Sequence, residues 1–184
     1  SNATYYDKDG VIRKSSYNEI TDSEDIASWS ATAGVIQTAD QAIAPDGTFT
    51  ADYIQFGDAN RTVYKFTTVT AGLTYTASIY VKGTAGETIR IASQGLPPIN
   101  YTLDGTWQRL TTSGTNAGTS GSVVISTFGG VTARDVYAWG AQLETGTYAG
   151  DYVKTEGSAA STARTSAYLP DASGNFVSAG ELLL

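Results

Sequence analysis

Few kinds of side chain in this sequence can carry acid–base or nucleophilic chemistry. Histidine, cysteine and methionine are absent from its 184 residues. Without histidine there is no Ser-His-Asp or Cys-His pair and no imidazole metal ligand. Without cysteine there is no thiolate nucleophile, no disulfide framework and no sulfur-ligated metal. What remains is a set of 18 acidic residues. Two positioned carboxylates suffice for glycoside hydrolysis, yet no spacing among the 18 singles out a pair. Walker, Rossmann and zinc signatures are missing as well. The chain therefore reads as a binding or display domain, not an enzyme. Its formal charge of −7 argues against a nucleic-acid partner, which needs clustered Lys and Arg; the plain reading of that charge is solubility. No apolar run approaches the roughly 18 residues of a membrane span, so membrane insertion is not expected.

The elements available to position side chains are strands. Helical periodicity is nearly absent, and short alternating runs rich in Thr, Val, Ile and Tyr recur between Gly, Asn, Asp and Pro. The clearest is Leu73-Thr-Tyr-Thr-Ala-Ser-Ile-Tyr-Val81. Leu73, Tyr75, Ala77, Ile79 and Val81 share one face, and Thr74, Thr76, Ser78 and Tyr80 the other. Side chains alternate faces along a strand, so the first set is expected in the core and the second toward water. Further runs lie at 52–56, 61–69, 87–94, 107–113, 122–128 and 134–144, with shorter ones at 4–6 and 29–38. Eight or nine strands without intervening helices predict an all-β fold: a two-sheet antiparallel β-sandwich of jelly-roll type. The ends differ in composition. Ser1-Asn2-Ala3 reads as a scar of tag removal, and residues 4–22 as an N-terminal arm or strand. Residues 23–153 form the expected sandwich. Residues 154–184, with Gly157-Ser-Ala-Ala-Ser-Thr-Ala163, read as a linker or the start of a following region.

Five segments then occur in a telling order: Ser23-Glu-Asp-Ile-Ala-Ser-Trp29, Ala44-Pro-Asp-Gly-Thr-Phe-Thr-Ala-Asp52, Gly72 to Lys82, Thr106-Trp-Gln-Arg-Leu110 and Asp135 to Glu144. Gly146-Thr-Tyr-Ala-Gly-Asp-Tyr-Val153 closes the series. Together they resemble the carbohydrate-binding-module-like jelly-roll domains of phage tail-fibre, head-fibre and other virion-appendage proteins, over about residues 20 to 155. Two departures stand out: Ile26 replaces the usual Phe, and Ser15-Ser-Tyr-Asn-Glu-Ile20 does not match the usual lead-in. The resemblance implies a place on the exterior of a phage particle, a cell-surface glycan as partner, and neighbouring domains or fibre copies. It supplies no shared catalytic residues. A purely structural spacer or trimerisation domain, and a sugar-binding module attached to a bacterial enzyme, remain the alternatives.

Within this frame Tyr80 draws attention, being an aromatic ring on the polar face of the clearest strand. It is either a stacking surface for a sugar ring or part of a cross-strand pair. Arg90 and Gln94, outward on the next strand in sequence, are expected to join it in one patch and bind hydroxyls. Trp107 follows a turn, and it and Trp29 are expected to cover open ends of the sandwich; Trp107 is also a ligand-binding candidate. Trp139 shares a parity with Tyr137 and Leu143 and is expected to be buried. Finally, the related sugar-binding jelly rolls often hold a structural calcium, and the resemblance implies Glu24, Asp25 and Asp135 as its ligands here, beside Asp22. The competing reading is a solvated acidic loop.

Overall fold

The computed structural model describes residues 17–161, with the strands Thr4–Tyr6, Ile12–Lys14, Tyr168–Pro170 and Phe176–Ser178. The tag-scar residues 1–3 and most of the 154–184 tail lie outside this description. In chain order the strands are β1 Thr4–Tyr6, β2 Ile12–Lys14, β3 Tyr17–Asn18, β4 Ser30–Ala31, β5 Ile36–Ala42, β6 Ala51–Gln55, β7 Thr62–Thr68 and β8 Leu73–Lys82. There follow β9 Thr88–Ser93, β10 Leu96–Thr102, β11 Gln108–Asn116, β12 Ser120–Ser126, β13 Asp135–Thr145, β14 Ala160–Ser161, β15 Tyr168–Pro170 and β16 Phe176–Ser178. One 3-10 turn, Ile26–Ser28, accompanies them. Among the described residues no helix is long and apolar enough to cross a membrane.

Two five-stranded antiparallel sheets face each other, in the orders β10-β9-β12-β7-β4 and β11-β8-β13-β6-β5. This is the expected sandwich. From β6 to β9 the chain changes sheet at every step, so strands adjacent in sequence lie on opposite sides of the core and their outer faces point in opposite directions. That core holds Ile54, Phe56, Ile79, Val81, Ile89, Ile91, Leu110, Val123 and Ile125 among others. Trp29 is buried within it, with its indole N–H donating to the Asp22 carbonyl at 3.2 Å.

Alternation identified the inner face of β8 from Tyr75 onward, with Tyr75, Ala77, Ile79 and Val81 all in the core; Leu73, expected with them, opens the strand and is exposed. The outer face differs from the expectation. Thr76 and Ser78 are buried too, because the segment after β13 folds back over them. Thr76 Oγ1 donates to the Gly146 carbonyl at 2.8 Å. The Glu144 carboxylate accepts the Gly150 N–H at 2.7 Å, and the Gln142 amide oxygen accepts the Val153 N–H at 2.8 Å. Outward polar side chains of β13 thus anchor a strap where solvent was expected.

Parity fails inside β13 for a separate reason. Val136 and Ala138 point into the core, and so do Ala141 and Leu143. The ladder to β8 shifts register between Trp139 and Gln142, and Gly140 there takes φ of 63°. An extra residue in a bulge exchanges the two faces, and glycine adopts the left-handed turn without a Cβ penalty. Trp139 is indeed buried, but on the outer face, opposite in direction to Leu143. Within the two five-stranded sheets one strand escaped notice: β10 contains Pro97 and Pro98. It lies at a sheet edge, where a missing N–H removes no ladder bond from an interior strand.

Packing also reaches beyond residues 23–153. Ile20 is fully buried, and Thr155 Oγ1 donates to its carbonyl at 2.6 Å. Strand β3 pairs with β14, joining the two ends of the described chain.

Candidate functional site

The outer face of the β11-β8-β13-β6-β5 sheet gathers six aromatic side chains: Tyr53, Tyr80, Trp107, Tyr137, Trp139 and Tyr152. Cross-strand register sets them in rows. Arg109, Tyr80 and Trp139 stand opposite one another on β11, β8 and β13. The Tyr80 ring lies 5.6 Å from Trp139 and 6.4 Å from Tyr152, centroid to centroid, with the Arg109 guanidinium carbon 5.3 Å from its centre. A guanidinium over an aromatic face is held by the ring's quadrupole. Arg109 also donates to Ser78 Oγ at 3.1 Å and to the Gly150 carbonyl. The 43–50 connection crosses this row. The Trp107 indole N–H donates to the Ile43 carbonyl at 3.1 Å, and that of Trp139 to Thr50 Oγ1 at 3.0 Å. Since β5 and β11 are opposite edges of the sheet, the first bond carries the connection over the whole face.

The neighbouring row is more open. Lys82 on β8 stands opposite Tyr137 on β13, Tyr137 opposite Tyr53 on β6, and Tyr53 opposite Thr38 on β5. The Tyr53 and Tyr137 centroids are 5.3 Å apart. Trp107 precedes Gln108, the partner of Val81, and so continues the row beyond Lys82. Lys82, Tyr137, Tyr53 and Trp107 are all half-buried. Each keeps part of its side chain accessible while its base is packed. Ile43, 63% exposed, and Trp107 form the rim. Alongside the middle of the row, Lys82, Thr84, Asp135 and Tyr137 line a cavity of about 210 Å³. Burial first, and then the nearby Asp135 carboxylate, raise the Tyr53 phenol above the usual range.

The sequence candidates are thus divided. Tyr80 and Trp107 belong to this face. Arg90 and Gln94 do not: Arg90 is on β9 in the opposite sheet, its Nε donating to Asn100 Oδ1 at 2.7 Å, and Gln94 sits at the β9–β10 turn. The single patch of Tyr80, Arg90 and Gln94 does not exist, because the β8–β9 connection passes from one sheet to the other. Sequence reasoning overlooked Lys82 and Tyr53. The signal for Lys82 was present, since it lies two residues beyond Tyr80 on the same face of one strand.

The carboxylates implied as calcium ligands do not converge. Glu24 pairs with Lys154 at 3.0 Å and accepts from the Tyr152 hydroxyl at 3.2 Å. Asp25 is exposed beside the 3-10 turn. Asp135 begins β13, whereas the Ser23 carbonyl accepts the N–H of Ala141; the six intervening positions span ~20 Å of strand. Glu24, Asp25 and Asp135 therefore do not fit one calcium ion. Among the described residues no group of three or more Asp, Glu, His or Cys is arranged to hold a metal.

Glu24 and Asp25 instead line a cavity of about 320 Å³ with Asp22, Asp40, Asp52 and Lys154. Asp52 is its buried member, accepting N–H bonds from Ala27 at 2.7 Å and Asp40 at 3.0 Å. Burial pushes its carboxyl up to about 6, and the Asp25 and Asp40 charges add to this. A carboxyl raised in the folded state makes folding less favourable once it ionises. Its stabilising contribution is present below the ordinary value near 3.8 and lost as pH rises through about 6. Asp22, Asp46 and Asp104 are lowered and favour folding above the ordinary carboxylate range. The melting temperature is therefore expected to be higher at pH 5 than at pH 7.5. Asp52→Asn is expected to flatten that difference; thermal melts across this range read both.

These two antiparallel five-stranded sheets, packed face to face, form a jelly-roll sandwich. No protein-family model matches the sequence, and no curated protein matches it significantly. Solved structures match in fold. The N-terminal modules of endo-1,4-β-D-xylanase 10B from Clostridium thermocellum, solved with xylohexaose, are similar at a TM-score of 0.50 and 15% identity, over 74% of this chain and 29% of that one. Tailspike protein 4 of Bacteriophage CBA120 is similar at 0.50 and 10% identity, over 70% of this chain and 21% of that one. The xylan-binding domain of Paenibacillus barcinonensis Xyn10C gives 0.48 and 17%, covering 74% and 97%. This chain thus spans less than a third of the first two chains. At these identities the likeness is one of fold.

Proposed function

We propose that this domain is a non-catalytic carbohydrate-binding module. It binds a glycan chain along the row of Trp107, Lys82, Tyr137 and Tyr53, on the outer face of the β8–β13–β6 sheet. The observation that carries this reading is the row itself: half-exposed aromatic rings in cross-strand register, with polar groups between them and a cavity alongside. Pyranose rings pack C–H faces on such aromatics, and hydroxyls bond to the polar groups. Tyr80 and Trp139 lie beneath the 43–50 connection and stiffen this floor. On this reading the domain belongs to a phage appendage, at the virion exterior and beside other fibre domains or copies. The segment series in the sequence supports this, together with a tailspike among the fold neighbours. A module attached to an enzyme is the second reading, favoured by the xylanase neighbour of equal TM-score.

An open groove encloses little area, so a single site is expected to be weak, with avidity supplying firm attachment. A multimerised domain on a glycan array is the test. Tyr137→Ala is expected to lower retention at least ~10-fold, by analogy with stacking contacts, while the domain stays folded with a small drop in melting temperature from loss of the Tyr53 pair. Phe66→Ala is the control, because Phe66 is 53% exposed on the opposite sheet, and it is expected to leave retention intact. A blank array, or retention lost only with Phe66→Ala, overturns the reading and favours a structural spacer.

A further inference from the structure

Lys82 stands out among the basic residues. Its amine makes no ion pair with any described carboxylate, whereas Lys65 is paired with Asp22 at 2.9 Å and Lys154 with Glu24 at 3.0 Å. Arg109 is engaged by Ser78, Gly150 and the Tyr80 ring. Lys82 is also the only basic residue in the open row, with Tyr137 on one side and Trp107 on the other. Strands lie under ~5 Å apart, so its stem emerges between two aromatic surfaces that could each carry a sugar ring. The cavity of about 210 Å³ that Lys82 lines holds one carboxylate, Asp135, and no ion pair joins the two. Lys82 thus borders this cavity without an ion-pair partner among the described residues.

We infer that the groove selects acidic glycans, with Lys82 pairing to the carboxylate of a uronic- or sialic-acid-type residue whose ring packs on Tyr137 or Trp107. This rests on the glycan-binding reading and narrows it. The net charge of −7 repels acidic polymers in general, so the selection is local. Charge-assisted hydrogen bonds are stronger than neutral ones, and the flanking rings exclude part of the water that would screen this one. Asp135 and Thr84 are left to accept or donate to the hydroxyls of the same sugar. A lone cation between aromatics has a purely structural alternative, in which the stem simply shields the rings. That role predicts no preference among ligands.

The experiment uses the multimerised full chain on immobilised polygalacturonate, hyaluronate and polysialate, each beside its carboxyl-reduced form. At least one acidic form is expected to be retained ~10-fold better than its reduced partner, the scale of one charge-assisted hydrogen bond. Added salt should weaken that preference. Lys82→Gln is expected to cancel the preference while leaving the melt unchanged, and Lys82→Arg to keep most of it. Equal retention of acidic and reduced forms, insensitive to Lys82→Gln but abolished by Tyr137→Ala, overturns acid selection and leaves glycan binding standing. No retention of any acidic form also overturns it, and a blank neutral array then removes the glycan reading with it.

Discussion

Ile79→Asp is expected to leave the domain unfolded, or nearly so, at neutral pH. Ile79 is fully buried at the centre of the sandwich, on the inner face of β8. Removing the aliphatic side chain costs about 2–5 kcal/mol in lost transfer energy and cavity. The new carboxylate adds several kcal/mol by being buried without a partner, or by taking up a proton to avoid ionising. Against a total stability of ~5–15 kcal/mol for a domain of this size, little remains. Ile79→Val, the control, is expected to cost about 1 kcal/mol. Urea titrations followed by tryptophan fluorescence measure both, and a wild-type midpoint for Ile79→Asp would show that the core assignment is wrong. Thr76→Asp separates two levels of reasoning. Alternation alone places Thr76 in water and predicts almost no cost. The structure gives it 1% exposure and a bond to Gly146, so the variant is expected to lose at least ~2 kcal/mol through a stranded carbonyl and a buried charge.

Asn18→Ala is expected to cost nearly as much as a core deletion, although it removes no apolar contact. Asn18 is fully buried. Its amide nitrogen donates to the carbonyls of Ala141 and Val153, both at 2.9 Å. Its amide oxygen accepts the N–H groups of Ile20 and Leu143, both at 3.1 Å. One side chain thus ties the N-terminal strand, the bulged β13 and the returning strap together. Truncation leaves four backbone groups without partners; each costs about 1–3 kcal/mol if water cannot reach it, and partial relaxation brings the expected total to ~3–5 kcal/mol. Asn18→Asp tests the geometry: it keeps both acceptor bonds but turns a carboxylate toward two carbonyls. It is expected to be unstable at pH 7 and partly rescued by acid, because the protonated form regains one donor. Equal stability of Asn18→Ala and wild type in denaturant would remove the clamp.

The sequence by itself determined the fold class and the inner face of its best strand. Period-two alternation is a local property, and a side chain's choice of face depends only on its neighbours in the chain. Tyr75, Ala77, Ile79 and Val81 needed nothing else. The absence of histidine and cysteine likewise settled which chemistries were closed. The tertiary structure decided everything that depends on where a strand goes next. Arg90 seemed to extend the Tyr80 face because β9 follows β8, yet the chain crosses the core between them. Trp139 and Leu143 share a parity, yet the bulge at Gly140 turns them to opposite sides. Thr76 and Ser78 are polar, yet the strap covers them, because polarity reports a hydrogen-bond partner as readily as it reports solvent. Asp135 reads as a companion of Glu24 only until β13 is given its length. Sheet membership, register shifts and the return of a chain segment over a face are non-local, fixed by contacts between residues far apart in sequence, so they decided which aromatics and which lysine meet in one groove.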